Sequence, residues 1–108
     1  MPATLAANTD KLAYQSNWAG NIRYTAARWH WPETVEQLQD LVRAARKLRV
    51  LGSRHSFNAI ADSSEDLIAL DHIPPVTDLD RSHSTVTVNA NVKYGQLCAQ
   101  LHAAGFAL

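Results

Sequence analysis

The sequence predicts an α+β fold, a small mixed β-sheet packed on two helices. Three observations carry this prediction. Apolar residues recur at helical spacing in two runs, one containing Val35, Leu38, Leu41, Val42, Ala45 and Leu48, the other Tyr94, Leu97, Cys98, Leu101 and Ala104. Short apolar stretches bounded by Pro, Gly, Asn, Asp and Ser flank the first run and read as strands. Between the helical runs, Val86 and Val88 alternate with Thr85, Thr87 and Asn89. That is the pattern of a hairpin with one hidden face.

In chain order, residues 1–13 are rich in Ala, Thr, Asn and Asp without a sustained period, and are expected to form a mobile leader. A domain spanning residues 14–108 follows. Asn17-Trp18-Ala19-Gly20-Asn21 sets an aromatic residue among turn formers. Trp18 is expected to act there as a hydrophobic plug. Residues 26–30 read as the first strand, closed by Trp31-Pro32, because proline disfavours helix at the residue before it.

Thr34-Val35-Glu36-Gln37 is a capping box. Thr34 accepts from the Gln37 N–H and the Gln37 side chain reaches back, which starts the first helix. Arg43, Arg46 and Lys47 are expected in its last turns, where cations suit the negative end of the dipole. Residues 49–51 return as a strand and complete a β-α-β unit.

That second strand delivers Gly52-Ser53-Arg54-His55-Ser56. A run of small and hydrogen-bonding residues after a strand lets consecutive backbone N–H groups form an anion nest. Gly52 can take positive φ at little steric cost and lets a ligand approach the main chain closely. Ser53 and Ser56 add hydroxyl donors, and Arg54 adds a guanidinium suited to phosphate. The pattern has neither a Walker lysine nor G-x-G-x-x-G, so neither common phosphate loop applies. A plain polar turn at the end of a strand remains the other reading of these residues.

Beyond the loop, Asp62, Glu65 and Asp66 match no calcium-loop spacing and read as a solvated turn. Residues 67–70 form a short apolar strand that Asp71-His72-Ile73-Pro74-Pro75 breaks. Residues 76–80 and 85–89 flank the turn Arg81-Ser82-His83-Ser84, and His72 and His83 read as ordinary surface histidines. A second helix is expected over residues 93–104, ended by a left-handed cap at Gly105. Residues 106–108 are expected to begin another strand.

Composition excludes several function classes. With 108 residues the chain makes one small domain with a modest core. Ten basic and ten acidic side chains give a formal net charge of +0, so no one-signed field recruits nucleic acid or anionic lipid. The single cysteine, Cys98, excludes an internal disulfide and a multi-cysteine zinc site. It is expected to be a small buried hydrophobe. No apolar run is long enough to span a bilayer, and the N-terminus lacks the basic start and apolar centre of a secretory signal. The expectation is a soluble, cytoplasmic protein.

Val50-Leu51-Gly52-Ser53-Arg54-His55-Ser56-Phe57-Asn58 resembles the pyrophosphate loop of the vanillyl-alcohol-oxidase type of FAD-linked oxidases. The likeness is greatest to the alditol and xylitol oxidases, with the aldonolactone oxidases next. Asn17-Trp18-Ala19-Gly20-Asn21 is a second, independent match to the alditol-oxidase type. The resemblance covers residues 14–108 and implies the first lobe of a PCMH-type FAD-binding domain.

It implies that Gly52, Ser53, Arg54 and Ser56 hold phosphate, that His55 carries the flavin covalently, and that Val50, Leu51 and Phe57 support the loop. The family varies the residue at the Arg54 position. The implied reaction passes a hydride from a polyol or sugar lactone to FAD and then reduces oxygen to hydrogen peroxide. No catalytic residue or metal ligand is assigned in this chain. The resemblance further implies a fragment, a truncated frame or a split subunit that does not turn over substrate alone and tends to self-associate. Two alternatives stay open: a non-enzymatic α+β anion-binding or interaction domain, and a flavin dehydrogenase fragment.

Overall fold

The computed structural model describes residues 15–108, so the expected leader over residues 1–13 lies outside the described residues. The chain divides into two compact units, one ending at Ile73 and one beginning at Pro74.

The first unit holds β1 (Arg28–His30), α1 (Val35–Ala44), β2 (Leu48–Leu51), a 3-10 turn (Ala59–Ala61) and β3 (Asp66–Ala69). Its three strands are parallel in the order β1-β3-β2. The β-α-β unit is present, but β3 inserts between the two strands it joins. Being central, β3 is buried along its whole length, as a strand covered on both faces must be.

The pleat sorts its side chains. Leu67 and Ala69 join Tyr24, Trp29, Trp31 and Leu51 in the core on one face. Trp29 and Trp31, two residues apart, stack with ring centroids 6.0 Å apart, and Tyr24 meets the Trp29 ring edge-on at 5.9 Å. The opposite face carries Arg28, His30, Asp66 and Ile68. There Ile68 lines a cleft of about 360 Å³ with Leu41, Ala44 and Ala45 from the end of α1.

At the start of α1 the Gln37 N–H donates to Thr34 Oγ1 at 3.1 Å as expected, while Gln37 Oε1 accepts from the Glu33 N–H at 2.8 Å, one residue before the cap. The helix stops at Ala44, earlier than its apolar spacing suggests. The Lys47 carbonyl accepts from the Asp66 N–H at 3.1 Å, so the sheet ladder claims the chain before Leu48. Arg46 and Lys47 therefore lie beyond the last helical turn, and only Arg43 lies within it. The apolar face of α1 is half covered. None of its residues is fully buried, and Val35 and Val42 stay about half exposed.

The solvated-turn expectation fails at Asp66, which sits in β3 at 6% exposure. Cross-strand register places it beside Arg28, and period two puts His30 on the same face, so its carboxylate is buried with partners.

The second unit is an antiparallel ribbon, β4 (Thr77–Asp80) with β5 (Thr85–Val88), and α2 (Tyr94–Ala103). Val86 and Val88 are half-buried and Thr85 and Thr87 exposed, the expected alternation. Asp80 accepts from the N–H groups of Ser82 and His83 and so closes the turn. In α2 only Leu97 and Leu101 are buried. Tyr94 and Cys98, expected on the inner face, are exposed.

Gly105 takes φ +86, its N–H donates to the His102 carbonyl, and the Phe106 N–H donates to the Leu101 carbonyl. This is a Schellman cap. It uses the Phe106 N–H that a new strand would need, and residues 106–108 form none. Arg81 completes the helix end, donating to the Ala104 carbonyl at 3.1 Å with its guanidinium 5.5 Å from the Phe106 ring centre.

The α+β class and both helices stand as expected. The mixed sheet resolves into a parallel sheet in one unit and an antiparallel ribbon in the other. Among the described residues no helix is long and apolar enough to cross a membrane, and no three His, Cys, Asp or Glu side chains are placed to hold a metal ion.

Candidate cofactor-binding site

Open parallel sheets bind ligands beyond the carboxyl ends of their strands. Here β2 ends at Leu51, whose side chain is buried in the core, and Val50 projects half-exposed on the other face. This anchor launches residues 52–58. Gly52, Ser53 and His55 are exposed, and Arg54 and Ser56 half-exposed. A Cβ built on Gly52 would meet nothing within 4 Å, so the space beside that residue is open.

The loop is shaped by a second loop, residues 16–22. The Trp18 N–H donates to the Arg54 carbonyl at 2.7 Å, Asn17 Nδ2 to the Ser56 carbonyl at 2.8 Å, and Asn21 Nδ2 to the Phe57 carbonyl at 3.2 Å. In a trans peptide the C=O and the following N–H point in opposite directions, and no peptide bond among the described residues is cis. With three carbonyls turned onto the Asn17–Asn21 side, the N–H groups of His55, Phe57 and Asn58 point away from it. Neighbouring amides presented in this way suit an anion.

The clamp is itself braced. Asn17, 2% exposed, bonds through Nδ2 to Asn21 Oδ1 at 2.7 Å and through Oδ1 to the Ile22 N–H at 3.1 Å. The Asn17 N–H donates to the Ile22 carbonyl at 3.0 Å, and Gly20 takes φ +76 in the turn between. Asn17 and Asn21 read in the sequence as turn formers and as part of the second match to the alditol-oxidase type. Their long-range role had no local signal beyond two amide side chains four residues apart.

Two expectations about the site change. The loop residue at positive φ is Arg54, at +63, and not Gly52. Arg54 Nη1 donates to the Ser16 carbonyl at 2.9 Å, so its guanidinium ties the two loops together. Burial holds the Tyr24 phenol above its usual range, against the opposing pull of the nearby Arg54 charge. Trp18 is no plug: it is 65% exposed and stacks on His55, with ring centroids 4.9 Å apart and 27° between planes.

A second cluster, missed in the sequence, lies on the opposite face of the sheet. Asp66 accepts from Arg28 Nε at 2.8 Å, from Arg28 Nη2 at 3.0 Å and from His30 Nε2 at 2.8 Å. The paired Arg28 guanidinium, against the contrary push of burial and with help from His30, lowers the Asp66 pKa to about 2. An ionised carboxylate only accepts, so Nε2 of His30 carries the proton. The other ring nitrogen, Nδ1, is buried without a hydrogen-bond partner among the described residues. The cluster joins β1 to β3.

Comparison with known proteins shows the family of this chain. Residues 26–108 match the family model described as FAD binding domain. The chain is 46% identical over 96 residues to an alditol oxidase from Streptomyces sp., covering 86% of this chain and 23% of that protein. It is 32% identical over 112 residues to L-galactono-1,4-lactone dehydrogenase 2, mitochondrial, from Oryza sativa subsp. japonica, covering 100% and 19%. It is 29% identical over 100 residues to D-arabinono-1,4-lactone oxidase from Saccharomyces cerevisiae, covering 85% and 19%. The chain thus spans about a fifth of the length of these relatives. With three of its loop carbonyls turned inward and an open space beside Gly52, the site fits a diphosphate, and the chain belongs to the FAD binding domain family of the vanillyl-alcohol-oxidase type.

Proposed function

We propose that this chain grips FAD through residues 52–58, carries the flavin covalently on His55, and serves a flavin oxidase that acts on an alditol or an aldonolactone. One observation carries the reading: the carbonyls of Arg54, Ser56 and Phe57 are bound by the Asn17–Asn21 loop, which leaves the amides of His55, Phe57 and Asn58 facing outward. Those amides would hydrogen-bond the diphosphate oxygens. Ser53 and Ser56 add hydroxyl donors, and Gly52 leaves room for the ligand against the main chain. Exposed His55 presents its imidazole beside them.

When bound, FAD supplies two-electron redox chemistry, accepting a hydride from a carbinol carbon and passing the electrons to oxygen to form hydrogen peroxide. The share of this chain is to bind and orient. The substrate class follows the names of the alditol oxidase and the arabinonolactone oxidase to which the chain is similar. A flavin dehydrogenase is the second reading, favoured by the likeness to the galactonolactone dehydrogenase.

The test uses the protein at the full length its gene encodes. Acid-precipitated protein is expected to stay yellow, and His55→Ala to lose that colour. Equal acid-stable flavin in His55→Ala would refute the tether. Oxygen consumption with an alditol or an aldono-1,4-lactone supports the oxidase; substrate-dependent dye reduction without oxygen uptake supports the dehydrogenase.

A further inference from the structure

We infer that Trp18 is a positioning residue for His55, holding the imidazole in the orientation from which it bonds to the flavin. This rests on the tether reading above. Trp18 is a large apolar residue left 65% exposed, yet it is fixed at both ends. Its N–H donates at 2.7 Å to the Arg54 carbonyl, which belongs to the same peptide unit as the His55 nitrogen. Its indole lies over the His55 ring at a centroid distance of 4.9 Å, with the planes 27° apart. The backbone bond therefore holds the peptide that leads into His55, and the ring stack holds the His55 side chain.

An exposed histidine otherwise samples several staggered side-chain orientations. A stacked indole covers one face of the imidazole and removes most of that freedom, while His55 as a whole stays exposed. The support is rigid because the loop that carries Trp18 is closed by the Asn17–Ile22 backbone bond and by the Asn17 and Asn21 side chains. Gly20 at φ +76 makes the tight return that places the indole on this side.

Attachment joins one imidazole nitrogen to the carbon of a flavin ring methyl group. One N–H and one C–H bond break, and the two protons and two electrons so released reduce the flavin ring, from which molecular oxygen takes them as hydrogen peroxide. Bond formation of this kind depends steeply on the angle and distance of approach, so an imidazole held in one orientation reacts faster than one that swings.

The experiment follows acid-stable flavin against time after FAD is added to flavin-free protein of the full encoded length, comparing wild type, Trp18→Ala, Trp18→Phe and His55→Ala. Alanine is expected to slow attachment about tenfold or more while reversible FAD binding changes less than about threefold, and phenylalanine to restore most of the rate. A reading that needs no flavin accompanies it: the carbon-bound ring protons of His55 in the NMR spectrum, shifted upfield by the indole in wild type, move downfield in Trp18→Ala. Attachment at the wild-type rate in Trp18→Ala overturns the inference, as does an unmoved His55 signal. Acid-stable flavin retained in His55→Ala, or absent from wild type, instead overturns the tether and with it the role given to Trp18.

Discussion

Asn17 Nδ2 donates to the carbonyl of Ser56 at 2.8 Å across 39 residues of sequence, and the buried amide that does so also accepts from the Ile22 N–H at 3.1 Å. One side chain thus fixes the shape of its own loop and the direction of a peptide in the cofactor loop. Without it the Ser56 carbonyl is free to turn, and the Phe57 amide turns with it.

Asn17→Ala removes these two bonds and the one to Asn21 Oδ1, and leaves two partly buried backbone groups without their partner, which costs about 1–3 kcal/mol. Chemical denaturation is expected to show that loss in the midpoint with little change in slope. Asn17→Asp keeps the acceptor for Ile22 but turns a carboxylate oxygen onto the Ser56 carbonyl and Asn21 Oδ1 at a position 2% exposed, so it is expected to be no more stable than Asn17→Ala and to bind FAD weakly. Full FAD binding in Asn17→Asp would detach the clamp from the site.

Arg54 presents two opposed effects in one residue. Its φ of +63 disfavours any side chain by about 1 kcal/mol, whereas its bond to the Ser16 carbonyl contributes about as much. Arg54→Gly relieves the first and loses the second, and is expected to be near neutral. Arg54→Ala loses the bond and keeps the strain, so it is expected to be less stable than the glycine variant by about 1 kcal/mol. Thermal melts of the pair measure the difference. With the guanidinium on Ser16, FAD affinity in Arg54→Gly is expected to fall by less than about tenfold.

The Asp66 cluster predicts acid sensitivity. The folded-state pKa is lowered to about 2 from the ordinary aspartate value of 3.8, so the unfolded chain takes up this proton more readily. The stabilisation is fully present above the unfolded value and is lost as pH falls through the folded one, between about pH 4 and pH 2. Linkage sets its size at about 2 kcal/mol. Asp66→Asn is expected to be less stable at neutral pH by about that order and to flatten the pH dependence of the denaturation midpoint across this window. An unchanged pH profile would show that other carboxylates govern acid unfolding.

Legibility in the sequence followed the range of the forces involved. The start of α1, the 81–84 turn and the Gly105 cap were readable because each is decided within a few residues by capping, Asx geometry and positive φ. The loop at residues 52–58 was placed correctly at the end of a strand for the same reason. The strand order was not readable, since insertion of β3 between β1 and β2 is settled by burial of that strand on both faces, Asp66 included. The burial of Asp66 depended on Arg28 and His30 arriving from another strand, and the stack of Trp18 on His55 on a bond between segments 36 residues apart. Helical periodicity overreached at Leu48, Tyr94 and Cys98, where apolar spacing alone does not say where a helix stops or whether anything covers it.

The central claim, that the amides turned away from the Asn17–Asn21 loop grip a diphosphate, is tested most directly by following backbone amide resonances while FAD is titrated into the protein. The account predicts that the His55, Phe57 and Asn58 amides move together with a single saturable dependence, and that those of the 81–84 turn stay in place. Saturable binding that leaves these three amides unmoved, or that shifts the 81–84 turn instead, would contradict it.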